Sequence, residues 1–117
     1  MGCGLQPYRK EIEKNNFRYL SFDVMKKDGL DITFIGLIDQ TLPDSLISHG
    51  PFSLILVSEV MEHVLNWNQA FENLARLLTP GGQIFLTVPF VFPLHEEPYD
   101  YWRPTCHAFE LIAKKHN

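Results

Sequence analysis

Between residues 52 and 89 the spacing of apolar positions changes twice. Residues 52–57 read FSLILV, with Ser53 the only polar member, and residues 83–88 read QIFLTV, rich in β-branched and aromatic side chains. Apolar runs of this length predict strands buried on both faces, as in a parallel sheet. Between them Trp67, Ala70, Phe71, Leu74, Leu77 and Leu78 recur at spacings of three and four, one apolar stripe along a helix. Asn66 stands where an N-cap belongs, with Gln69 three residues on to answer it, and Thr79-Pro80-Gly81-Gly82 stops the helix. The block predicts a βαβ unit with a right-handed crossover.

The flanking segments are less regular. Gly2-Cys3-Gly4 is the kind of glycine pair that turns a chain tightly after a strand and admits a ligand to the backbone, although only Met1 precedes it. Pro7 suits the first turn of a helix over residues 8–16. Residues 17–22 predict a strand ending at Asp23, the position at which doubly wound nucleotide folds hold ribose hydroxyls; the plain alternative is a solvated turn residue. A turn at 26–29, a short strand over 31–36 and a loop or single irregular helical turn over 39–50 follow. Residues 89–104 contain four prolines, which excludes a regular element, while their aromatic content argues against disorder. This loop leaves the carboxyl end of a predicted parallel strand, the edge where open α/β sheets bind ligands. Thr105 is placed to cap a last helix that turns Phe109, Leu111 and Ile112 inward.

Composition narrows the function. The 117 residues suit one domain, residues 1–117, and the shares of 45% hydrophobic and 21% charged residues are those of an ordinary globular chain. A net charge of −4 without a basic stripe argues against a nucleic-acid partner held by phosphate contacts. No apolar run is long enough for a membrane span, and MGCGLQPYRK lacks the apolar core of a signal peptide. Gly2 has Gln6 where an acylation signal wants Ser or Thr. Cys3 and Cys106 are too few for a disulfide framework and read as reduced thiols of a cytoplasmic protein. Zinc-type spacing is missing as well: Tyr99 stands where a second His would follow His95, and Cys106-His107 has no partner pair.

Taken together, Gly2-Cys3-Gly4, Asp23, the block Phe52-Ser53-Leu54-Ile55-Leu56-Val57-Ser58-Glu59-Val60-Met61-Glu62-His63-Val64 and Arg76-Leu77-Leu78-Thr79-Pro80-Gly81-Gly82 resemble the class I S-adenosylmethionine-dependent methyltransferases, most closely the branch called methyltransferase type 11. His95-Glu96-Glu97-Pro98-Tyr99-Asp100-Tyr101-Trp102-Arg103-Pro104-Thr105 resembles a signature found in part of that branch. The resemblance implies an α/β fold, a Rossmann-like α/β/α sandwich with a mostly parallel sheet of order 3-2-1-4-5-7-6. It also implies that the first strand, with its acidic end, and the last strands lie outside residues 1–117. The sheet is then expected to be incomplete and the chain a truncated methyltransferase, each unpaired buried backbone group costing about 1–3 kcal/mol. Gln6 replaces the third motif glycine, and Ser53 the usual Asp. A dehydrogenase reading fails on that third glycine and on the EHV block.

By the same resemblance S-adenosyl-L-methionine is the cofactor. Gly2 and Gly4 pass under its methionine part, Asp23 accepts from its ribose hydroxyls, Asp39 contacts its adenine, and Ser58 and Glu59 line the pocket near the sulfonium. The cofactor carries the difficult chemistry, and a general base helps an oxygen or nitrogen nucleophile. His95 is the first candidate, since its ordinary pKa near 6.5 suits the task, and Glu96 the second. The alternative is that His95, Asp100 and Arg103 pin their own loop, and that Glu62-His63 is an ordinary pair at a helix start. Tyr99, Tyr101 and Trp102 either wall an acceptor or pack the loop's underside. Expected partners are a small-molecule or saccharide acceptor, with no nucleic acid and no membrane, and a second copy joined through the open sheet edge. A non-catalytic remnant completed by a partner chain is the rival reading.

Overall fold

The computed structural model describes residues 1–116. The predicted βαβ unit forms. Strand β3 (Phe52–Ser58) and strand β4 (Leu78–Thr87) run parallel, paired from Leu54↔Gln83 to Ser58↔Thr87, with helix α3 (Trp67–Leu77) between them. The α3 stripe buries Ala70, Phe71, Leu74 and Leu77; each large apolar side chain taken from water stabilises the fold by roughly 1.5–3 kcal/mol. The Asn66 side chain caps α3 by accepting from the Gln69 N–H at 3.2 Å. The expected reciprocal bond is absent. The Asn66 N–H donates instead to Asp39 Oδ2 at 3.1 Å, and the Gln69 amide reaches Asn73 Oδ1 at 3.4 Å. Asn73 interrupts the apolar stripe for a reason: it is buried, and its amide donates to the carbonyls of Ile38 and Gln40 at 2.7 and 2.8 Å, tying that loop to the helix.

Thr79-Pro80-Gly81-Gly82 ends α3 but makes no separate turn. β4 begins at Leu78, and the register shifts between Phe52↔Leu78 and Leu54↔Gln83. A Cβ on Gly82 would lie 2.9 Å from Thr79 O and 3.0 Å from Phe52 O, so only glycine passes between these backbones. Burial on both strand faces is not realised. Ile55 and Val57 are buried, whereas Leu54 and Phe85 are 43% and 59% exposed. The reason is coverage, because α3 and α4 (Cys106–Lys115) pack together on the side of β4 that carries Ile84 and Leu86.

The remaining elements are short. Helix α1 (Arg9–Lys14) buries no residue, and β1 (Phe22–Asp23) and β2 (Phe34–Ile35) form a separate parallel pair of two residues each. The strands expected over 17–22 and 31–36 shrink to these pairs. Helix α2 (Asp44–His49) occupies part of the stretch expected as a loop or a single irregular helical turn, and buries Leu46. Residues 1–4 lie between the two strand pairs: the Met1 amine donates to Leu56 O at 2.7 Å and the Cys3 N–H to Phe22 O at 3.1 Å. One edge bond is therefore supplied to each pair. Beside this contact a cleft of about 590 Å³ runs between Tyr19–Phe22 and Phe52–Leu56. The fold is an incomplete Rossmann-like α/β arrangement with parallel strand pairs in place of one continuous sheet.

Candidate active site

Three alternate positions at the N-terminus, Gly2, Gly4 and Gln6, take left-handed backbone with φ of 56°, 50° and 57°. Gly2 needs to be glycine twice over, because a Cβ there would also collide with Val60 Cγ2. A Cβ on Gly4 would meet no neighbouring atom within 4 Å, so its exposed side faces open space. Gln6, which stands at the third motif glycine, pays for its conformation with side-chain bonds. It is buried, donates to Asp31 O at 2.8 Å and accepts from Arg9 Nη1 at 3.1 Å.

Asp23 and the glycine turn meet directly. Asp23 Oδ2 accepts from the Gly4 N–H at 2.8 Å and from the Cys3 thiol at 3.5 Å, while Oδ1 accepts from the Val24 N–H at 2.8 Å. Burial first, and the adjacent carboxylate second, push the Cys3 thiol above its ordinary pKa. The carboxylate is buried, with Lys27 Nζ 3.8 Å from Oδ2. Asp39 is placed elsewhere, on the backbone at the start of α3 through Asn66, and does not border the cleft.

Ser58 and Glu59 end β3 on the cleft. Glu59 is a left-handed non-glycine residue with φ 53°, its N–H donating to Thr87 O at 3.1 Å. Such a conformation costs of order 1–3 kcal/mol and collects at functional positions. Thr87 Oγ1 donates to Glu59 Oε1 at 2.8 Å and lies 2.9 Å from Ser58 Oγ, which is 3.4 Å from the Tyr8 hydroxyl. Since the single Thr87 proton goes to Glu59, Ser58 donates to Thr87 and Tyr8 to Ser58. The four groups form a chain polarised towards Glu59. Tyr8 and Thr87 carry no sequence signal of their own; only the register Ser58↔Thr87 joins the last three.

The proline-rich loop closes over the 3₁₀ turn Met61–His63. The Tyr101 and Trp102 N–H groups donate to Glu62 O at 2.8 and 3.3 Å, and Trp102 Nε1 donates to Val64 O at 2.9 Å. The Trp102 ring lies 6.1 Å from that of Trp67 and packs towards it with one side, while its other side stays exposed. Tyr99 and Tyr101 stay exposed. Arg103 grips both Asp100 oxygens at 2.6 Å and donates to Phe92 O and Pro93 O at 3.3 and 3.2 Å. This fork holds the Asp100 carboxyl well below the usual carboxylate range. The pinning role of His95, Asp100 and Arg103 is thus realised: the His95 N–H donates to Asp100 Oδ2 at 3.0 Å.

The same loop brings His95 to Glu62 and His63. His95 Nε2 lies 4.0 Å and His63 Nε2 3.8 Å from Glu62 Oε1. Glu62 is fully buried, and neither carboxylate oxygen has a hydrogen-bond partner. Burial pushes its carboxyl above the ordinary range, against the pull of the two imidazoles. Glu96 stands at the rim, 76% exposed, with Oε2 3.9 Å from His63 Nε2. Sequence spacing hides this group, since 32 residues of chain separate His63 from His95. The available signal was an acid inside the apolar run Val60-Met61-Glu62-His63-Val64.

A larger groove of about 1120 Å³, walled by Leu78, Ile84, Leu86 and Phe109, shares no residue with the glycine turn. Among the described residues no helix is long and apolar enough to cross a membrane.

Residues 1–115 match a family described as a methyltransferase domain. A ubiquinone biosynthesis O-methyltransferase of Caulobacter vibrioides is 29% identical over 98 residues, covering 74% of this chain and 38% of that protein. The chain therefore spans well under half the length of this curated relative. No solved structure matches significantly. The family match covers the glycine turn, the acid that binds it and the whole β3–α3–β4 unit, and the chain belongs to the methyltransferase-domain family, among the class I S-adenosylmethionine-dependent methyltransferases.

Proposed function

We propose that the protein transfers a methyl group from S-adenosyl-L-methionine to a hydroxyl of a small phenolic or saccharide acceptor. One observation carries this reading: the Gly4 N–H bond to Asp23 joins the glycine turn and the acidic strand end at one cleft, which Ser58 and Glu59 also border. The open side of Gly4 suits close approach of a ligand to the backbone. Asp23 Oδ1 has one internal bond and keeps capacity for a ribose hydroxyl, and Oδ2 gains the same capacity where the long 3.5 Å contact from the Cys3 thiol gives way. Gly2 shapes the turn, Ser58 and Glu59 face the sulfonium side, and Asp39 is assigned to the adenine end. The cofactor, when bound, supplies the activated methyl group. The chain orients the acceptor oxygen in line with the S–CH3 bond, excludes water and takes the departing hydroxyl proton. The electron pair of the broken bond stays on sulfur as the new O–CH3 bond forms. His95 is the proposed proton acceptor, with Glu96 at the rim as the second candidate.

The Caulobacter relative is an O-methyltransferase, which supports an oxygen acceptor, and the net charge of −4 favours a small molecule over a nucleic acid. The test is incubation with methyl-labelled S-adenosylmethionine and a panel of catechols, phenols and sugars. The expected result is label in an ether-forming acceptor; transfer only to nucleic acid would overturn the assignment of the acceptor class. A second reading, a non-catalytic chain whose cleft is filled by a strand of another copy, rests on the backbone edges that border the cleft. A concentration-dependent dimer that binds no S-adenosylhomocysteine would favour it.

A further inference from the structure

We propose that Glu62, His63 and His95 form a binding site for a divalent transition-metal ion of the zinc type. The acceptors around each imidazole fix where its proton lies. His63 Nδ1 lies 2.9 Å from Tyr99 O, a pure acceptor, so the ring proton belongs on Nδ1. His95 Nδ1 lies 3.3 Å from Pro93 O and 3.0 Å from Asp100 Oδ2, both acceptors, with the same consequence. In the neutral rings each Nε2 is then a lone pair. Both lone pairs face a buried carboxylate whose two oxygens have no partner. Three electron-pair donors meeting at one point is an unfavourable arrangement that a shared proton or a metal cation relieves, and a metal cation engages all three donors at once.

The support around the ligands is that of a metal site. Each imidazole is oriented through its far nitrogen by a backbone carbonyl, Tyr99 O for His63 and Pro93 O for His95, with the Arg103-held Asp100 carboxylate 3.0 Å from His95 Nδ1, the usual outer arrangement around ligating histidines. One ligand atom from each residue lies within 4.8 Å of the others. Bond lengths of about 2.0–2.2 Å need ligand separations of roughly 3–3.6 Å, so side-chain adjustments of the order of an ångström complete the set. Two imidazoles and one carboxylate select zinc and its first-row neighbours over magnesium or calcium, and leave a position for water or a ligand oxygen. Glu96, at the rim, is near enough to swing in. The site does not rest on the methyl-transfer reading, but it draws on the same His95. With an ion bound, His95 is a ligand and the proton of an acceptor hydroxyl would leave to another group.

The test is titration of the metal-stripped protein with cobalt(II), followed by visible absorption, and competition with zinc. One equivalent should give the intense bands of a four- or five-coordinate centre, and zinc should abolish them. His95→Ala should weaken cobalt binding at least tenfold, and His107→Ala, an exposed histidine outside the group, should leave it unchanged. Glu62→Gln should do the same as His95→Ala; where that buried variant fails to fold, His63→Ala replaces it. No stoichiometric spectrum in the wild-type protein, or a spectrum that survives both His95→Ala and His63→Ala, would overturn the proposal.

Discussion

On one side of the cleft, β3 and β4 share six paired positions and an eleven-residue helix with a capped start. On the other, β1 and β2 share two pairs and have only six-residue helices beside them. Both sides are parallel strand pairs. The difference lies in what holds them. The β3–α3–β4 side closes on itself through local periodicity, Asn73 and the clasped proline-rich loop. The glycine side depends on single bonds between distant residues: Met1 to Leu56, Cys3 to Phe22, Gly4 to Asp23 and Gln6 to Asp31. The better-packed part of the molecule and the proposed cofactor contacts thus lie on different sides of the cleft.

The largest expected effect tests the closed side. Leu74→Ala removes a side chain with no exposed surface and should lower unfolding stability by about 2–5 kcal/mol in urea titration. Phe17→Ala, on a 57% exposed ring beside the cleft, should change it by no more than about 0.5 kcal/mol. The reverse order would break the comparison. Next, Gly2→Ala should cost roughly 2–4 kcal/mol, combining left-handed strain with the collision at Val60. Gly4→Ala, with strain alone, should cost about 1–2 kcal/mol by the same measurement. The smallest effect is at the α3 cap: Asn66→Ala should lose about 1 kcal/mol, read as a lowered urea midpoint with unchanged slope.

How legible each part was in the sequence follows the same division. Leu74, Phe71 and their stripe, the Asn66 and Thr105 caps and the β3 and β4 runs are local patterns, and the structure carries them. The strand over 17–22 read as alternating but survives only at Phe22–Asp23, since a strand exists by its neighbours and only Phe34–Ile35 pairs with it. Helix α2 was hidden by its six-residue length and mostly polar outer face. Asp23 with Gly2 and Gly4 was legible because strand end and glycine turn have fixed places in a nucleotide fold. The bond from the Asn66 N–H to the Asp39 carboxylate at the start of α3 had no signal in the sequence, because 27 positions of chain separate the two residues. The Glu62–His63–His95 group could not be read, because a loop of no regular period folds back to make it.

The most direct test of the central claim, that Asp23 and the glycine turn form the cofactor cradle, is isothermal titration with S-adenosylhomocysteine. The wild-type chain and the exposed-turn control Asp28→Asn should bind alike, while Asp23→Asn, shown folded by circular dichroism, should bind at least tenfold more weakly, a loss of about 1.4 kcal/mol or more. Equal binding by Asp23→Asn and the wild-type protein would contradict the account.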